Sequence, residues 1–175
     1  MDLRCVRRTD QRLDRLFSSE QFNSEPNEDY TVVDEVSLRS NLHRDGDKYR
    51  LVGRIESCIR LSCSRCVETF NLCVHVPVDL MYLPYGANGG DGEAEISDED
   101  LAIAFYHDDQ IDMGLMIREQ LQLTVPMKPL CCDDCHGLCP VCGKNLNHER
   151  CSCDPSWHDP RLDVLAALRS DSRKD

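Results

Sequence analysis

Residues 49–78 read YRLVGRIESCIRLSCSRCVETFNLCVHVPV, and their alternation decides the fold. Tyr49, Leu51, Gly53, Ile55, Ser57, Ile59, Leu61 and Cys63 share one parity. Arg50, Val52, Arg54, Glu56, Cys58 and Arg60 share the other. A period of two sends successive side chains to opposite faces, so the stretch is predicted as a strand with one apolar and one wet face. After a tight corner at Cys63-Ser64-Arg65-Cys66, Phe70, Leu72, Val74, Val76 and Val78 repeat the apolar row, with Asn71, Cys73 and His75 outward. Upstream, Val32, Val36, Leu38 and Leu42 fall on one parity of an irregular first strand, and Asp45-Gly46 is a hairpin turn signal. Three antiparallel strands with one solvated face are expected.

Outward from this block the pattern changes. Residues 1–30 hold a short amphipathic stretch, Leu13, Leu16 and Phe17, compatible with a packed helix or with an N-terminal strand and arm. Residues 86–100 are glycine-rich and then acidic and read as a surface loop; 101–106 read as a further short strand. Asp112 is a predicted N-cap, and Ile111 with Met116 has the spacing of a hydrophobic staple. Met113, Met116, Ile117, Gln120, Leu121 and Thr124 then recur at helical spacing until Pro126. Those methionines belong to a core face, not to a ligand box. Asp159-Pro160 opens a last short helix with Leu162, Leu165, Ala166 and Leu168 on one side, before a polar tail. The expected fold is α+β: an antiparallel, barrel-like sheet with a packed helix and a C-terminal zinc-knuckle segment. The expected division is an α+β core domain over 1–128, carrying the acidic loop 86–100, and a cysteine-rich segment with the terminal helix over 129–175.

Composition narrows the function. The chain has 175 residues, 32 acidic and 20 basic, for a net charge of −12. Residues 1–65 hold 12 basic and 12 acidic groups, so residues 66–175 carry the whole imbalance. No run approaches the length of apolar chain that spans a bilayer, so no membrane association is expected. The first residues, MDLRCVRR, are charged where a secretory signal would be apolar, so a cytoplasmic protein is expected. Twelve cysteines without an export signal point to metal thiolates or thiol redox chemistry, not to a disulfide framework.

Cys139-Pro140-Val141-Cys142-Gly143 is the most specific local feature. Two thiolates three positions apart grip one ion when the chain folds into a knuckle, and Gly143 stands where such a knuckle takes a positive φ. A short polar loop later, Cys151-Ser152-Cys153 supplies two more sulfurs, and closing so short a loop costs little entropy. One tetrahedral four-thiolate zinc site is the simplest product. Cys131, Cys132 and Cys135, with Cys63 and Cys66 at the strand corner, either build a second site or compete for the first ion. An iron site uses the same ligands. A thioredoxin-type redox pair fits less well, because that motif opens a helix after a strand, whereas here Gly143 and a polar loop follow. Cys5, Cys58 and Cys73 are expected as small buried apolar residues. His136, His148 and His158 flank the cluster and are expected to face solvent or support the ligands.

No Ser-His-Asp arrangement, phosphate loop or HExxH helix is present, and closed thiolate sites offer no open coordination position, so no enzyme is expected. Arg50, Arg54 and Arg60 project from one strand face, with Arg65 at the corner. They read either as a solvated face or as a phosphate-binding stripe on the neutral half of the chain.

The order Cys63-Ser64-Arg65-Cys66-Val67-Glu68, Ile111-Asp112, Pro129-Leu130-Cys131, the run from Cys135 through Gly137-Leu138-Cys139-Pro140-Val141-Cys142-Gly143-Lys144-Asn145-Leu146-Asn147, Cys151-Ser152-Cys153 and Asp159-Pro160-Arg161-Leu162 resembles the YceD family, also catalogued as domain of unknown function 177. The likeness runs from about Leu13 to Leu168. The resemblance implies a bacterial or plastid protein needed for accumulation of large-subunit ribosomal RNA, and a metal-binding one. It implies the pairs Cys63 and Cys66, Cys131 and Cys135, Cys139 and Cys142, and Cys151 and Cys153 as ligands; Cys132, Cys58 and Cys73 fall outside that pattern. The expected function is a non-enzymatic factor in large ribosomal subunit biogenesis, supporting 23S rRNA accumulation or processing. Its expected partners are rRNA, a basic ribosomal protein, or both, with no small-molecule substrate. A thiol redox protein or sensor using its CxxC pairs is the alternative.

Overall fold

A computed structural model describes residues 1–6, 9–23, 30–85 and 102–154. The chain forms two compact units: Met1–Ser62 with Thr69–Pro129, and Cys63–Glu68 with Leu130–Asp175. The acidic loop 86–100, the terminal helix from Asp159 and His158 lie outside the described residues.

The first unit is a sheet with a helix. Its strands are β1 (Asp10–Phe17), β2 (Thr31–Val32), β3 (Val36–Asp45), β4 (Lys48–Ser62), β5 (Thr69–Pro84) and β6 (Ile103–Tyr106). The spatial order is β1-β3-β4-β5-β6, with β2 also paired to β4. The odd-numbered row of β4 is buried from Tyr49 through Leu61 except at half-buried Gly53, as the alternation requires. Asp45 pairs with Lys48 across a hairpin turn in which Gly46 has φ +59°, a left-handed conformation that costs glycine nothing.

The residues that left two readings open at the N-terminus form a strand. Asp10–Phe17 pairs antiparallel with β3, burying Leu13 and leaving Leu16 exposed. The irregular first strand is two strands, since the chain leaves the ladder between Val32 and Val36 while Val33 N–H donates to the Cys58 carbonyl. Two expectations need correction. The sheet is mixed, because β6 runs parallel to β5, from Met81 opposite Ile103 to Pro84 opposite Tyr106. It is also open: among the described residues β1 and β6 are its two edges and do not pair, and without that closure there is no barrel.

Helix α1 (Met113–Thr124) follows a short N-cap in which the Asp112 carboxylate accepts from the Gly114 and Leu115 amides. Met113, Met116, Ile117 and Leu121 are buried with Ile111 in one cluster with Leu38, Leu42, Leu51, Ile55 and Ile59. The methionines are core. Tyr82 lies in the same cluster, and burial, with the Glu119 and Asp112 carboxylates, pushes its hydroxyl up to about 12. Val125 caps the helix and Pro126 follows it.

Cys58 and Cys73 are not buried apolar residues. The β4–β5 register sets them opposite one another on the solvated face, where they form a disulfide with Cα atoms 4.0 Å apart. Cys5 is exposed as well.

The described residues of the second unit form turns. Among its described residues the buried apolar side chains are Cys63, Cys66, Cys135 and Cys139, and none of them belongs to the hydrophobic cluster of the first unit.

Candidate metal centres

Eight cysteines of the second unit gather into two groups of four. Cys63, Cys66, Cys131 and Cys135 form one, Cys139, Cys142, Cys151 and Cys153 the other, and in each the four Sγ atoms lie within 4.8 Å of one another. Four of the sulfurs flanking the knuckle, Cys63, Cys66, Cys131 and Cys135, thus gather into a second group that could hold an ion of its own.

The first group is assembled by a tight loop and a turn. In the loop, Val67 N–H donates to the Cys63 carbonyl and Cys63 N–H to the Glu68 carbonyl, each at 2.9 Å. Val67 takes φ +63° to close it, an uncommon conformation for a β-branched residue. Arg65 donates through Nη1 to the Cys135 carbonyl at 2.9 Å and the Asp133 carbonyl at 3.3 Å, fastening the turn to the loop. Gly137, at φ +73°, lies so close that a Cβ there would meet the Arg65 carbonyl oxygen at 3.1 Å. Asn147 Nδ2 donates to Cys135 Sγ at 3.2 Å, while its Oδ1 accepts from the His136 amide.

The second group is a knuckle. Gly143 N–H donates to the Cys139 carbonyl at 2.9 Å, and Cys139 N–H to the Lys144 carbonyl at 2.8 Å. Gly143 takes φ +73°, the positive φ its position predicts. Val141 N–H points at Cys139 Sγ from 3.4 Å, as Arg65 N–H points at Cys63 Sγ from 3.5 Å.

The spacing fits a single ion. Cys63 and Cys135 sulfurs are 3.8 Å apart, and Cys66 and Cys131 sulfurs 3.7 Å. Four thiolates bonded at about 2.3 Å to a tetrahedral centre stand about 3.8 Å from one another along each edge. A disulfide would bring sulfurs to about 2.05 Å, and a cluster of several irons would spread its thiolates over more than one metal atom. The donors are all sulfur, the set that zinc and iron favour over magnesium or calcium.

Hydrogen bonds favour the thiolate at three of the sulfurs, while Cys66, Cys131, Cys151 and Cys153 are shifted up. Hydrogen bonding from the Cys66 amide draws the Cys63 thiol down to about 6, and the Cys142 and Val141 amides do the same for Cys139. Asn147 lowers Cys135. Desolvation raises Cys131, followed by the proximity of the other thiols. His148 is engaged elsewhere, with Nε2 2.9 Å from Glu68 Oε1, and exposed His136 belongs to neither group of sulfurs.

The arginines divide between the units. On the solvated face of the sheet, Arg50 makes a two-pronged pair with Asp79 at 2.9 and 2.8 Å, which raises the guanidinium and lowers the carboxyl. Arg54 meets Glu56 at 3.0 Å, and Arg60 donates to Asn71 at 3.4 Å. Arg65 belongs to the second unit and serves its turn. Two arginines that spacing along one strand does not single out join the same face: Arg39 pairs directly opposite Arg54, and Arg12 lies one row away. They line a shallow depression of about 350 Å³ with Asp14, Asn41 and Val52. Only the strand register reveals them. No described helix is long and apolar enough to cross a membrane.

The family model for large ribosomal RNA subunit accumulation protein YceD matches residues 51–169. The chain is 28% identical over 163 residues to a large ribosomal RNA subunit accumulation protein YCED homolog 1, chloroplastic, of Arabidopsis thaliana, covering 81% of this chain and 50% of that one. It is 29% identical over 143 residues to the Zea mays protein of the same name, covering 69% and 49%. An uncharacterized protein of Mycobacterium leprae is 29% identical over 127 residues, covering 70% and 56%. The chain thus spans about half the length of these curated relatives. No solved structure matches. The match takes in both sides of the strand corner and all eight clustered sulfurs, and with it the chain belongs to the YceD family of large ribosomal RNA subunit accumulation proteins.

Proposed function

We propose that this protein is a non-catalytic, zinc-binding factor in biogenesis of the large ribosomal subunit, supporting 23S rRNA accumulation or processing through contact with rRNA. The observation that supports the chemical part is the pair of four-sulfur groups, each with its sulfurs within 4.8 Å of one another and the first with separations of 3.8 and 3.7 Å, the edge length of a tetrahedral ion. The biological part rests on family membership. Bound there, each zinc supplies a cross-link between chain segments and no open position for a substrate. The chain's own part is to bring the sulfurs together and to donate amide hydrogens to Cys63, Cys135 and Cys139.

For the RNA contact the outer face of the sheet is the favoured surface. Arg12, Arg39, Arg50, Arg54 and Arg60 share it, and Glu56 alone serves both Arg39 and Arg54. Arg50, held by Asp79, is the least free of them, and Arg65 is proposed as a support of the metal turn before a phosphate ligand. A basic ribosomal protein is a second partner, favoured by the acidic stretch Asp91, Glu93, Glu95, Asp98, Glu99 and Asp100, which has no basic residue within it.

Pull-down from a ribosome-containing lysate, with and without nuclease, separates the two partners. RNA contact through n phosphates weakens with a log–log salt slope near roughly −0.9n for duplex. The combined Arg39→Glu, Arg54→Glu and Arg60→Glu variant is expected to lose at least roughly ten-fold in affinity for a 23S rRNA transcript and to flatten that slope. Unchanged affinity overturns the RNA surface. The redox alternative has one observation in its favour, the Cys58–Cys73 disulfide, but that pair lies outside every CxxC motif.

A further inference from the structure

A fifth thiol stands beside one member of the first group. Cys132 is exposed, and its Sγ lies 3.9 Å from that of Cys131, close to the 3.7 and 3.8 Å between sulfurs inside the group. Adjacent residues of an extended chain point to opposite sides; here the two sulfurs turn towards one another, because Cys132 opens a turn whose carbonyl accepts the Cys135 amide at 3.2 Å. That turn gives Cys132 the spacing of the other two knuckles. Cys63 with Cys66 and Cys139 with Cys142 are each separated by two residues, and so are Cys132 and Cys135, whereas Cys131 and Cys135 are separated by three. The structure thus fills the fourth corner with the residue of unusual spacing and leaves the residue of regular spacing beside it. The carrying segment 132–134 is exposed, so little packing opposes a shift of one residue.

We propose that Cys132 is a reserve ligand, so that either Cys131 or Cys132 completes the first four-thiolate site. The inference rests on the zinc-binding reading above and goes beyond it, since it assigns a ninth sulfur and makes the first site alone tolerant of losing a ligand. The second group has no such spare: Cys139, Cys142, Cys151 and Cys153 are all of its sulfurs.

The test is metal content by native mass spectrometry of the full chain, prepared reduced and loaded with zinc. The wild type is expected to hold two ions, Cys131→Ser and Cys132→Ser two each, the double variant one, and Cys135→Ser one. A wild type that holds no zinc overturns the metal reading itself; a two-ion wild type beside a one-ion Cys131→Ser overturns only the reserve ligand. A second measurement needs no variant. A limiting pulse of N-ethylmaleimide on the zinc-loaded wild type is expected to label Cys132, like the exposed Cys5, before the grouped sulfurs, and chains labelled at only one of Cys131 and Cys132 are expected to keep both ions. Chains labelled at Cys131 alone that have lost one ion would refute the proposal whatever the folding of the serine variants.

Discussion

Gly53 shows how much one missing atom decides. A Cβ built there would lie 2.3 Å from the Arg39 carbonyl oxygen and 2.5 Å from the Ser40 Cβ, both on the neighbouring strand. Neither is the far end of a flexible side chain, so β3 and β4 must part to admit it. Gly53→Ala is expected to destabilise the first unit by about 2–3 kcal/mol, the upper range of overpacking, read as a lower denaturant midpoint at unchanged slope. Asn147 plays the corresponding part in the second unit. It donates to Cys135 Sγ while its other amide atom accepts from His136, so it orients a ligand without being one. Partners of this kind are commonly worth roughly ten- to a hundred-fold in metal affinity. Asn147→Ala is expected to lose that much at the first group and nothing at the second, measured by competition with a chromogenic chelator. Equal weakening of both groups would show general unfolding instead.

At the scale of elements, the helix gives the plainest case. Asp112 closes two of the free amides at the start of α1, and removing an N-cap of this type costs about 1 kcal/mol. Asp112→Ala is expected to lower stability by that amount, with Asp112→Asn near wild type in thermal denaturation. The helix and the long strands were legible in the sequence because each has one wet and one dry face, and a face written in alternating or three-to-four spacing leaves a period to read. The parallel pairing of β6 was not legible. The connection between β5 and β6 passes through residues 86–101, where Asn88-Gly89 and Asp91-Gly92 are turn signals of the hairpin kind and neither points to a parallel return. β1 stayed ambiguous because only Leu13 of its apolar residues is buried, too few to set a period. The Cys58–Cys73 disulfide did leave a signal. Both cysteines sit on the wet parity, and a hairpin folded about the 63–68 corner puts them in register, but an inward reading of cysteine as a small apolar residue hid it. At the sulfur groups, spacing singled out Cys139, Cys142, Cys151 and Cys153 together, but it left the other group open among Cys63, Cys66, Cys131, Cys132 and Cys135, and only the family resemblance named the four that gather. Spacing did not find Asn147 or the support from Arg65, because side chains that orient a ligand follow no spacing rule.

Taken as a whole, the two units are held together internally by different forces. The first encloses a continuous apolar cluster running from Leu3 and Val6 through the strands to Leu121. The described part of the second buries only cysteines, and its backbone is turns, whose few hydrogen bonds cannot offset the ordering of some thirty residues. Structural zinc contributes on the order of 10 kcal/mol or more to a small domain, so ions held in the two sulfur groups would supply what the described residues lack in apolar core. Chelation is therefore expected to act on one unit and spare the other. With a strong chelator under reducing conditions, amide signals of residues 130–154 should collapse into the unfolded range, while those of Leu51, Ile55 and Ile117 keep their dispersion. Readdition of zinc should restore the lost set in proportion to the metal bound. A chelated chain in which 130–154 stays dispersed would mean that contacts other than metal hold the second unit, and the sulfur groups would then need another purpose.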